Sequence, residues 1–486
     1  MMHSQFTLAC LLAITALPVA AAPVAPSPLA AAESGAQAPD TARAWWHMFG
    51  DPDLATLVDR AMAANLDIEQ AAARLDRAAA AAGAVRAALL PSIGANASAA
   101  ALRQSLEDPA IRPFAGIPGF PRAQERYSAG ISASWEIDLF GSGARRRGAR
   151  ATMDAAAADL AGARIAIAAE TATSWLTVRE YQARRLVLRA QLSALAEQQA
   201  IARRRIAAGA AAPVEADRIA GERASQAGAV ALLDGLIAAE VERLGVLVAD
   251  AGEARARAAG AADAPFSLQA PATEQLQVSI AARPDVVAAG RRLAAADAAL
   301  AVARSARTPR VSLAGLLASI ATTPVNLFTG AAQSAQGSAA ITLPLLDFGR
   351  IDAAIAEARG SRREALASAR KAELDAAADV ARSAALLDSR QREAAAQQEA
   401  FDALSQARNR IGAAYGAGSI DLDQLLDVER GRLAAQAGAI TAQAGAMKAL
   451  VAVFRATADM PLRRDVRAIP AEPSMPRAPA TAQRSG

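Results

Sequence analysis

The chain has 486 residues, of which 53% are hydrophobic but only 3% aromatic, and alanine supplies most of the apolar total. Alanine is the best helix former and buries little surface, so this composition favours long, closely packed helices over one thick core. The 52 basic and 48 acidic residues nearly cancel and are interspersed along the helical segments, which argues against a nucleic-acid-binding patch.

The sequence offers little to a metal or a cofactor. Its one cysteine, Cys10, excludes a disulfide framework, and with only His3 and His47 beside it a Cys/His metal site is not expected. The common nucleotide-binding and zinc-protease signatures are absent. We therefore expect no cofactor and no enzyme activity.

The first element along the chain is a targeting segment. Residues 6–22 form an apolar run followed by small residues, which predicts a signal peptide over 1–21 with cleavage after Ala21. A transmembrane anchor is the alternative, but Pro18 and the flexible Pro/Ala-rich segment 22–44 favour cleavage. No second membrane helix is expected, so the sequence predicts an exported protein.

The remainder reads as two copies of one plan, 45–261 and 262–460, followed by a Pro-rich tail at 461–486 that we expect to be disordered. Equivalent residues stand 218 positions apart before the first inter-strand loop and 208 or 209 apart after it: Asp67 and Asp285, Leu75 and Leu293, Pro91 and Pro309, Gly141 and Gly349, Gly209 and Gly418. Each copy predicts a helix, a strand, a loop, a strand, a long helix, a turn and a helix.

Four strands are predicted, at about 92–103, 127–138, 309–320 and 337–346. The second alternates strictly, with Tyr127, Ile131 and Trp135 on an apolar face and serines on the other. Any half-buried antiparallel sheet shows such alternation. Export and a length near the ~9–11 residues of a membrane strand favour a transmembrane barrel instead. Four strands cannot close a barrel, so several chains would have to share one.

The helices predict two long coiled-coil hairpins, at about 145–250 and 350–457. No proline interrupts residues 145–208, and a continuous helix of that length would measure on the order of 95 Å. Apolar residues recur every seven positions, as in Leu160, Ile167 and Leu195. Gly209 and Gly418 break the two long helices and predict the hairpin tips.

Several motifs resemble those of TolC-like outer-membrane efflux proteins of the NodT branch. The resemblance spans about residues 45–460 and rests on FGDP at 49–52, SWEIDLFG at 134–141, RPDV at 283–286, LPLLDFGR at 343–350 and YGAGSIDLDQLLDVER at 415–430.

The resemblance implies a mixed α/β fold in a Gram-negative outer membrane. Three chains would share a 12-stranded β-barrel, continued by a periplasmic barrel of helices. The homotrimer would be a passive exit duct that contacts outer-membrane lipid, a periplasmic adaptor and an inner-membrane pump of the resistance-nodulation-division type. The alternatives are the adaptor itself, which would show one hairpin and compact β domains, and a structural coiled-coil protein, which would lack the strand pairs.

The resemblance also assigns sites. Asp138, Gly141, Asp347 and Gly349 would form turns at the barrel rim, Tyr127, Ile131 and Trp135 would face lipid, and the tips at Gly209 and Gly418 would contact the adaptor. The periplasmic gate would comprise Tyr415, Asp427 and Arg430, which match motif positions, and Asp423, which does not match the motif but stands four residues before Asp427 on the same helix face. In a trimer the aspartates would form rings of like charge that attract cations, while Tyr415 and Arg430 would hold the second hairpin closed.

Members of this branch often carry a lipid on a cysteine that begins the mature chain. Cys10 lies at the front of the apolar run, and no cysteine follows the predicted cleavage region. We therefore expect no lipid anchor.

Overall fold

The computed structural model describes residues 45–457 except 110, 115, 119, 211, 263–279, 418 and 421. The predicted signal peptide, the segment 22–44, the Pro-rich tail and Gly418 lie outside the described residues, as does the side chain of Asp423.

Long helices and one small sheet make up the described chain. The helices are α1 Pro52–Ala64, α2 Leu66–Ala87, α3 Ser142–Ala207, α4 Pro213–Leu247, α5 Ala251–Gly260, α6 Pro284–Ser305, α7 Arg350–Gly416 and α8 Leu422–Thr457. The strands are β1 Ser92–Arg103, β2 Ala123–Ile137, β3 Arg310–Ala321 and β4 Gln333–Thr342. Most of the chain is therefore helical, with a smaller share of sheet.

The elements of the second half repeat those of the first. Helices α2 and α6 have 22 residues each, strands β1 and β3 have 12 each, and helices α3 and α7 have 66 and 67. Each of these elements of the second half begins 218 or 208 residues after its counterpart, at the offsets seen in the sequence. The long helices α3 and α7 each span about 100 Å.

The four strands form one antiparallel sheet in the order β1-β2-β3-β4. Strand β2 begins at Ala123 and not at the predicted 127, because Ala123 pairs with Arg103. Strand β4 covers Gln333–Thr342 in place of 337–346: Gln333 pairs with Ser319, and Pro344, which has no N–H to donate, follows its end. Strands β1 and β4 are the two edges of the sheet.

The core lies at the waist of the molecule, where the short helices pack on the long ones. Trp45 stacks on Phe454 with ring centroids 5.2 Å apart, and Trp175 is fully buried. The Trp175 indole N–H donates to Asp51 Oδ2 at 2.7 Å, and Asp51 also caps the start of α1. A belt of aromatic residues thus ties the N-terminal segment to α3 and α8.

At the waist, a side chain donates a hydrogen bond to a carbonyl at the C-terminus of a helix in two equivalent places. We call each of these bonds a helix anchor. Asn65 Nδ2 donates to the carbonyl of Leu247 at the end of α4, at 2.8 Å. Arg283, the residue 218 positions later, donates to the carbonyl of Ala456 at the end of α8. The residue before α2 therefore holds the C-terminus of α4, and the residue before α6 holds the C-terminus of α8. The carbonyls at a helix C-terminus lack intrahelical partners, so they are free to accept these bonds.

Helix α8 contains one segment, Gln424–Thr457, that is long and apolar enough to cross a membrane by length and composition. More than half of its most apolar window is buried within the protein. Met447, Leu450 and Val451 are almost fully buried, so this hydrophobicity serves the core.

Removing the Arg283 anchor tests how strongly the waist holds α8. The Arg283 side chain is 11% exposed and ion-pairs with Asp285 at 2.7 Å and with Asp379 at 3.5 Å. Arg283→Ala leaves the carbonyl of Ala456 without its donor and removes one of the two partners of Asp379, which Arg382 still contacts at 2.7 Å. This should cost about 1–3 kcal/mol.

The measurement is the thermal unfolding midpoint by circular dichroism in detergent. The matched control is Arg392→Ala, since Arg392 is exposed and pairs only with Asp388 within α7. An equal midpoint for the two variants would contradict the anchor.

Candidate functional site

The sheet separates apolar from polar side chains. Directly opposed residues share a face, so Ile131 lies with Leu317 and Trp135 with Leu313, both pairs on the apolar face. The other face carries the serines of β1 and β2 together with Leu316 and Ile320 of β3, which lie opposite Ser132 and Ser128. Ser92 and Ser134 as well as Ser98 and Ser128 join their hydroxyls across β1 and β2 at 2.7 and 2.8 Å. The sheet is thus amphipathic, with neither face packed on a core of its own.

The predicted lipid-facing residues fall on this apolar face. Ile131 is 54% exposed. The Tyr127 hydroxyl donates to Glu125 at 2.8 Å, and the Trp135 indole N–H donates to the carbonyl of Leu89 at 2.9 Å. The two aromatic residues therefore lie at opposite ends of the face, each with its polar atom bonded.

The first rim turn joins β2 to α3 through Asp138 and Gly141. The Gly141 N–H donates to Asp138 Oδ1 at 2.6 Å, and Arg145 ion-pairs with the other carboxylate oxygen at 3.3 Å. A Cβ on Gly141 would lie 2.5 Å from Asp138 and from Ser305 Oγ. A larger residue here would force the Asp138 and Ser305 side chains to move, because both approach the backbone closely.

The second predicted rim turn joins β4 to α7 with a different backbone conformation. Gly349 has φ +87° and Phe348 has φ 53°, so two consecutive residues are left-handed. Asp347 accepts the N–H groups of Gly349 at 3.2 Å and Ile351 at 2.7 Å, which caps α7. The hydrogen bond from Ile351, followed by that from Gly349, lowers the pKa of Asp347. Glycine is required here by backbone conformation.

The two hairpin tips close with the equivalent backbone hydrogen bond, 209 positions apart. Gly209 is left-handed with φ +72°, and the N–H of Ala210 donates to the carbonyl of Arg205 at 2.8 Å. In the second tip, both the N–H and the hydroxyl of Ser419 bond to the carbonyl of Ala414. The sequence predicts tips over 207–213 and 416–420, with Gly209 and Gly418 as the helix breakers, and does not single out Ser419 within the second range.

The predicted gate residues lie near the second tip, and the structure brings two of them together. Arg430 Nη1 donates to Asp427 Oδ1 at 2.8 Å. Arg430 Nε lies 3.1 Å from Glu222 of α4, an ion pair whose N–H is not aligned for a hydrogen bond. Tyr415 lies in the last turn of α7, 40% exposed. Arg430 thus links the second hairpin to the first.

A second ion-pair group holds the two helices of that hairpin together. Glu429 accepts from Arg432 at 2.6 Å and from Arg408 of α7 at 3.1 Å. The hydrogen bond from Arg432 lowers the pKa of Glu429, and the bond from Arg408 adds to the effect. Because this pKa is depressed, the stabilisation is complete above the usual carboxyl pKa and is lost only as the pH falls through the lowered value.

The contact between the hairpins is loosely packed. A cavity of about 190 Å³ lies among α3, α4 and α8, lined by Gln191, Gln198, Glu222, Leu426 and Arg430 among others. The side-chain carbonyls of Gln191 and Gln198 are buried there without a hydrogen-bond partner in the described chain. Such a polar, underpacked contact is weaker than an apolar core and separates more easily.

Glu222, Arg408 and Glu429 were missed by sequence reasoning. Glu429 and Arg432 stand three apart on one helix, a spacing that predicts an ion pair. No local pattern indicates Glu222, because its partner Arg430 lies in the other hairpin.

The profile of the family described as "Outer membrane efflux protein" matches residues 57–250 and 276–459, which is most of the chain. This chain belongs to that family. The two matched segments fall in the two structural copies, and they confirm the resemblance to TolC-like efflux proteins.

Relatives of the efflux protein match over most of their length. It is 30% identical to the pyoverdine export outer membrane protein OpmQ of Pseudomonas aeruginosa, over 83% of this chain and 84% of the relative. It is 30% identical to outer membrane protein OprJ of the same species, over 88% of each chain. The solved outer-membrane channel OprN is similar at 27% identity and a TM-score of 0.74, covering 85% of this chain and 92% of that one.

The efflux protein is therefore an outer-membrane channel of a tripartite efflux system, extending into the periplasm. Such a channel is a transport conduit and not an enzyme. Its place in a tripartite system implies an adaptor and an inner-membrane pump as partners.

The second rim turn generates a prediction about its glycine. Gly349→Ala places a Cβ on a left-handed residue and should cost about 1–2 kcal/mol. Gly349→Asn should cost less, because asparagine tolerates this conformation. Urea unfolding in detergent measures both. Equal losses for alanine and asparagine would show that something other than the positive φ requires glycine.

Proposed function

We propose that three copies of the efflux protein form one continuous exit duct, a 12-stranded β-barrel above a periplasmic barrel of helices. The observation that carries this proposal is the open four-stranded sheet, whose edge strands β1 and β4 have no partner within the described chain. In a membrane each unpaired backbone group costs several kcal/mol, so such edges must be closed. Four strands are too few to close on themselves.

The internal duplication suggests the register in which β4 would pair with β1 of the neighbouring subunit. We call this pairing the seam. Strands β2 and β3 already join the two copies within one chain, with Ile137 opposite Val311. Their repeat equivalents are Leu345 and Ile93, at the offsets of 208 and 218. The same rule places Ala339 opposite Ala99 of the partner subunit. Leu345 lies three residues beyond the end of β4 at Thr342, so within the strands the same rule sets Ile341 opposite the partner subunit's Ala97, and apolar residues meet apolar residues.

The amphipathic sheet supports an assignment of its faces. The face that carries Tyr127, Ile131 and Trp135 contacts outer-membrane lipid, and the serine face lines the duct. A charge at Ile131 would then meet hydrocarbon, whereas one at Ser132 would meet water.

The hairpins carry the connection to the other components. The long helices differ by one residue, so both tips lie about 100 Å from the rim, at the same level. The tips at Gly209 and Gly418 contact the periplasmic adaptor, and the pump behind it is of the resistance-nodulation-division type, as the NodT resemblance implies.

The gate lies just above the tips. Arg430 holds α8 against Glu222 of the first hairpin, with Tyr415 beside the second tip. In the trimer, we infer that Asp423 and Asp427 form rings of three like charges at the narrowed pore, which attract cations. Withdrawal of the second hairpin breaks the Arg430 contact and opens the duct.

Cysteine cross-linking tests the seam. The only native cysteine, Cys10, lies in the predicted signal peptide, so the background is clean. Ala339→Cys with Ala99→Cys should give covalent dimers and trimers on a non-reducing gel, because directly opposed Cβ atoms lie about 4.5–5.5 Å apart.

The matched control pairs Ala339→Cys with Ala95→Cys, on the same strand and face but four residues, or about 13 Å, away. Equal cross-linking in both pairs would refute the register, and none in either would refute the seam.

Planar-bilayer recording tests the gate. Arg430→Ser with Tyr415→Phe should raise mean conductance severalfold, because loss of one partly exposed ion pair shifts each chain by about 0.5–1 kcal/mol and three chains act together. Arg408→Ala is the control, since Arg408 links the two helices of one hairpin. Unchanged conductance in the first variant, or an equal rise in the control, would argue against Arg430 as the latch.

A further inference from the structure

An arginine-rich groove lies between α6 and α7, below the second rim turn. The cavity has a volume of about 680 Å³ and is lined by Arg304, Arg359, Arg362 and Arg363, with Asp297 as its one acid. Asp297 is held by the Nε of Arg362. The other three guanidinium groups have no carboxylate within 4 Å in the described chain, so the groove carries uncompensated positive charge.

The fold does not require these arginines. The equivalent positions of the first copy, along α2 and α3, carry six small residues, one arginine and one aspartate, so their net charge is zero. They are Ala79, Ala82, Gly83, Arg86, Gly148, Ala151, Asp154 and Ala155. Ala151 and Ala155, which correspond to Arg359 and Arg363, are buried where α3 packs on α6. These two positions of the long helix thus carry alanine in the first copy and arginine in the second.

The duplication also indicates what faces the groove. Helix α3 packs on α6 so closely that a Cβ on Gly148 would lie 3.2 Å from Ala298 and 3.9 Å from the carbonyl of Ala295. The repeat equivalents are Ala356 of α7 and, on the next copy, Ala80 and Arg77 of the partner subunit. Arg77 is exposed in the single chain. The seam between copies therefore adds a further arginine to the groove.

We propose that this groove binds a phosphate-bearing anion between neighbouring subunits, an inference that rests on the proposed trimer. Guanidinium groups bind phosphate by paired, charge-assisted hydrogen bonds. Arg359 and Arg363 with the partner subunit's Arg77 supply such donors, and Asp297 is the one acid among the residues that line the cavity. The bound anion relieves the repulsion among the arginines and holds the two subunits together.

Two sources can supply this chemistry. The groove begins near the membrane, since Arg304 is in the last turn of α6 and Arg359 lies nine residues, or about 14 Å, beyond the start of α7. A phospholipid headgroup of the inner leaflet is one source, and a soluble phosphate compound of the periplasm is the other.

The test measures the temperature at which half of the purified, detergent-solubilised trimer dissociates on a gel. One arm adds sodium pyrophosphate, compared with sodium chloride at equal ionic strength. The other arm adds phosphatidylglycerol, compared with phosphatidylcholine. We expect one of the two phosphate sources to raise this temperature by about 5 °C. A response to pyrophosphate assigns a soluble anion, and a response to phosphatidylglycerol alone assigns a headgroup.

The test variant is Arg359→Ala with Arg363→Ala, which restores the residues of the first copy and should abolish the rise. Arg359→Gln with Arg363→Gln serves if that variant does not assemble. The control is Arg390→Ala with Arg392→Ala, which removes the same charge from exposed arginines paired within α7 and should keep the full rise.

An equal rise in test and control variants, or no rise in the unaltered protein with either source, overturns the anion site. Failure of the unaltered protein to form a trimer would instead contradict the proposed function.

Discussion

The unpaired backbone of two edge strands is the constraint on which the structure depends. Strands β1 and β4 end a sheet in which the apolar residues of β2 lie on one face and its serines on the other, and neither face packs on a core. In water such edges would invite uncontrolled pairing, and in lipid they would be prohibitively unstable. In the proposed trimer, other copies of the chain pair with both edge strands. The long helices that continue from the strands would then be arranged in a ring as well.

The duplication would allow the barrel to close, because the same kind of strand pairing can join two copies of the plan within a chain and between chains. The β2–β3 pairing joins two copies of the plan inside a chain, and the β4–β1 pairing would join them between chains. The seams need not be identical in chemistry. Ala151 and Ala155 pack tightly inside the chain, whereas Arg359 and Arg363 stand at the same places on the outer seam. In the proposed trimer, the contact between subunits would thus be more polar than the contact between the two copies within one chain.

The sequence predicts the strands, the long helices and the turns between them, because alternation and glycine placement are local signals. Sequence reasoning places β2 and β4 a few residues late, since strand ends are set by the partner strand. It could not find Glu222, because the charge that needs it, on Arg430, lies in the other hairpin. It could not distinguish the crowded Gly141 from the left-handed Gly349, because both are simply glycine after a phenylalanine.

The central claim is that the open sheet is completed by two further copies of the same chain. The most direct measurement is the mass of the detergent-solubilised particle by native mass spectrometry after extraction from the outer membrane. The account predicts three chains per particle, with no smaller species that retains the β-sheet signal in circular dichroism. A folded monomer or dimer with intact sheet would contradict it.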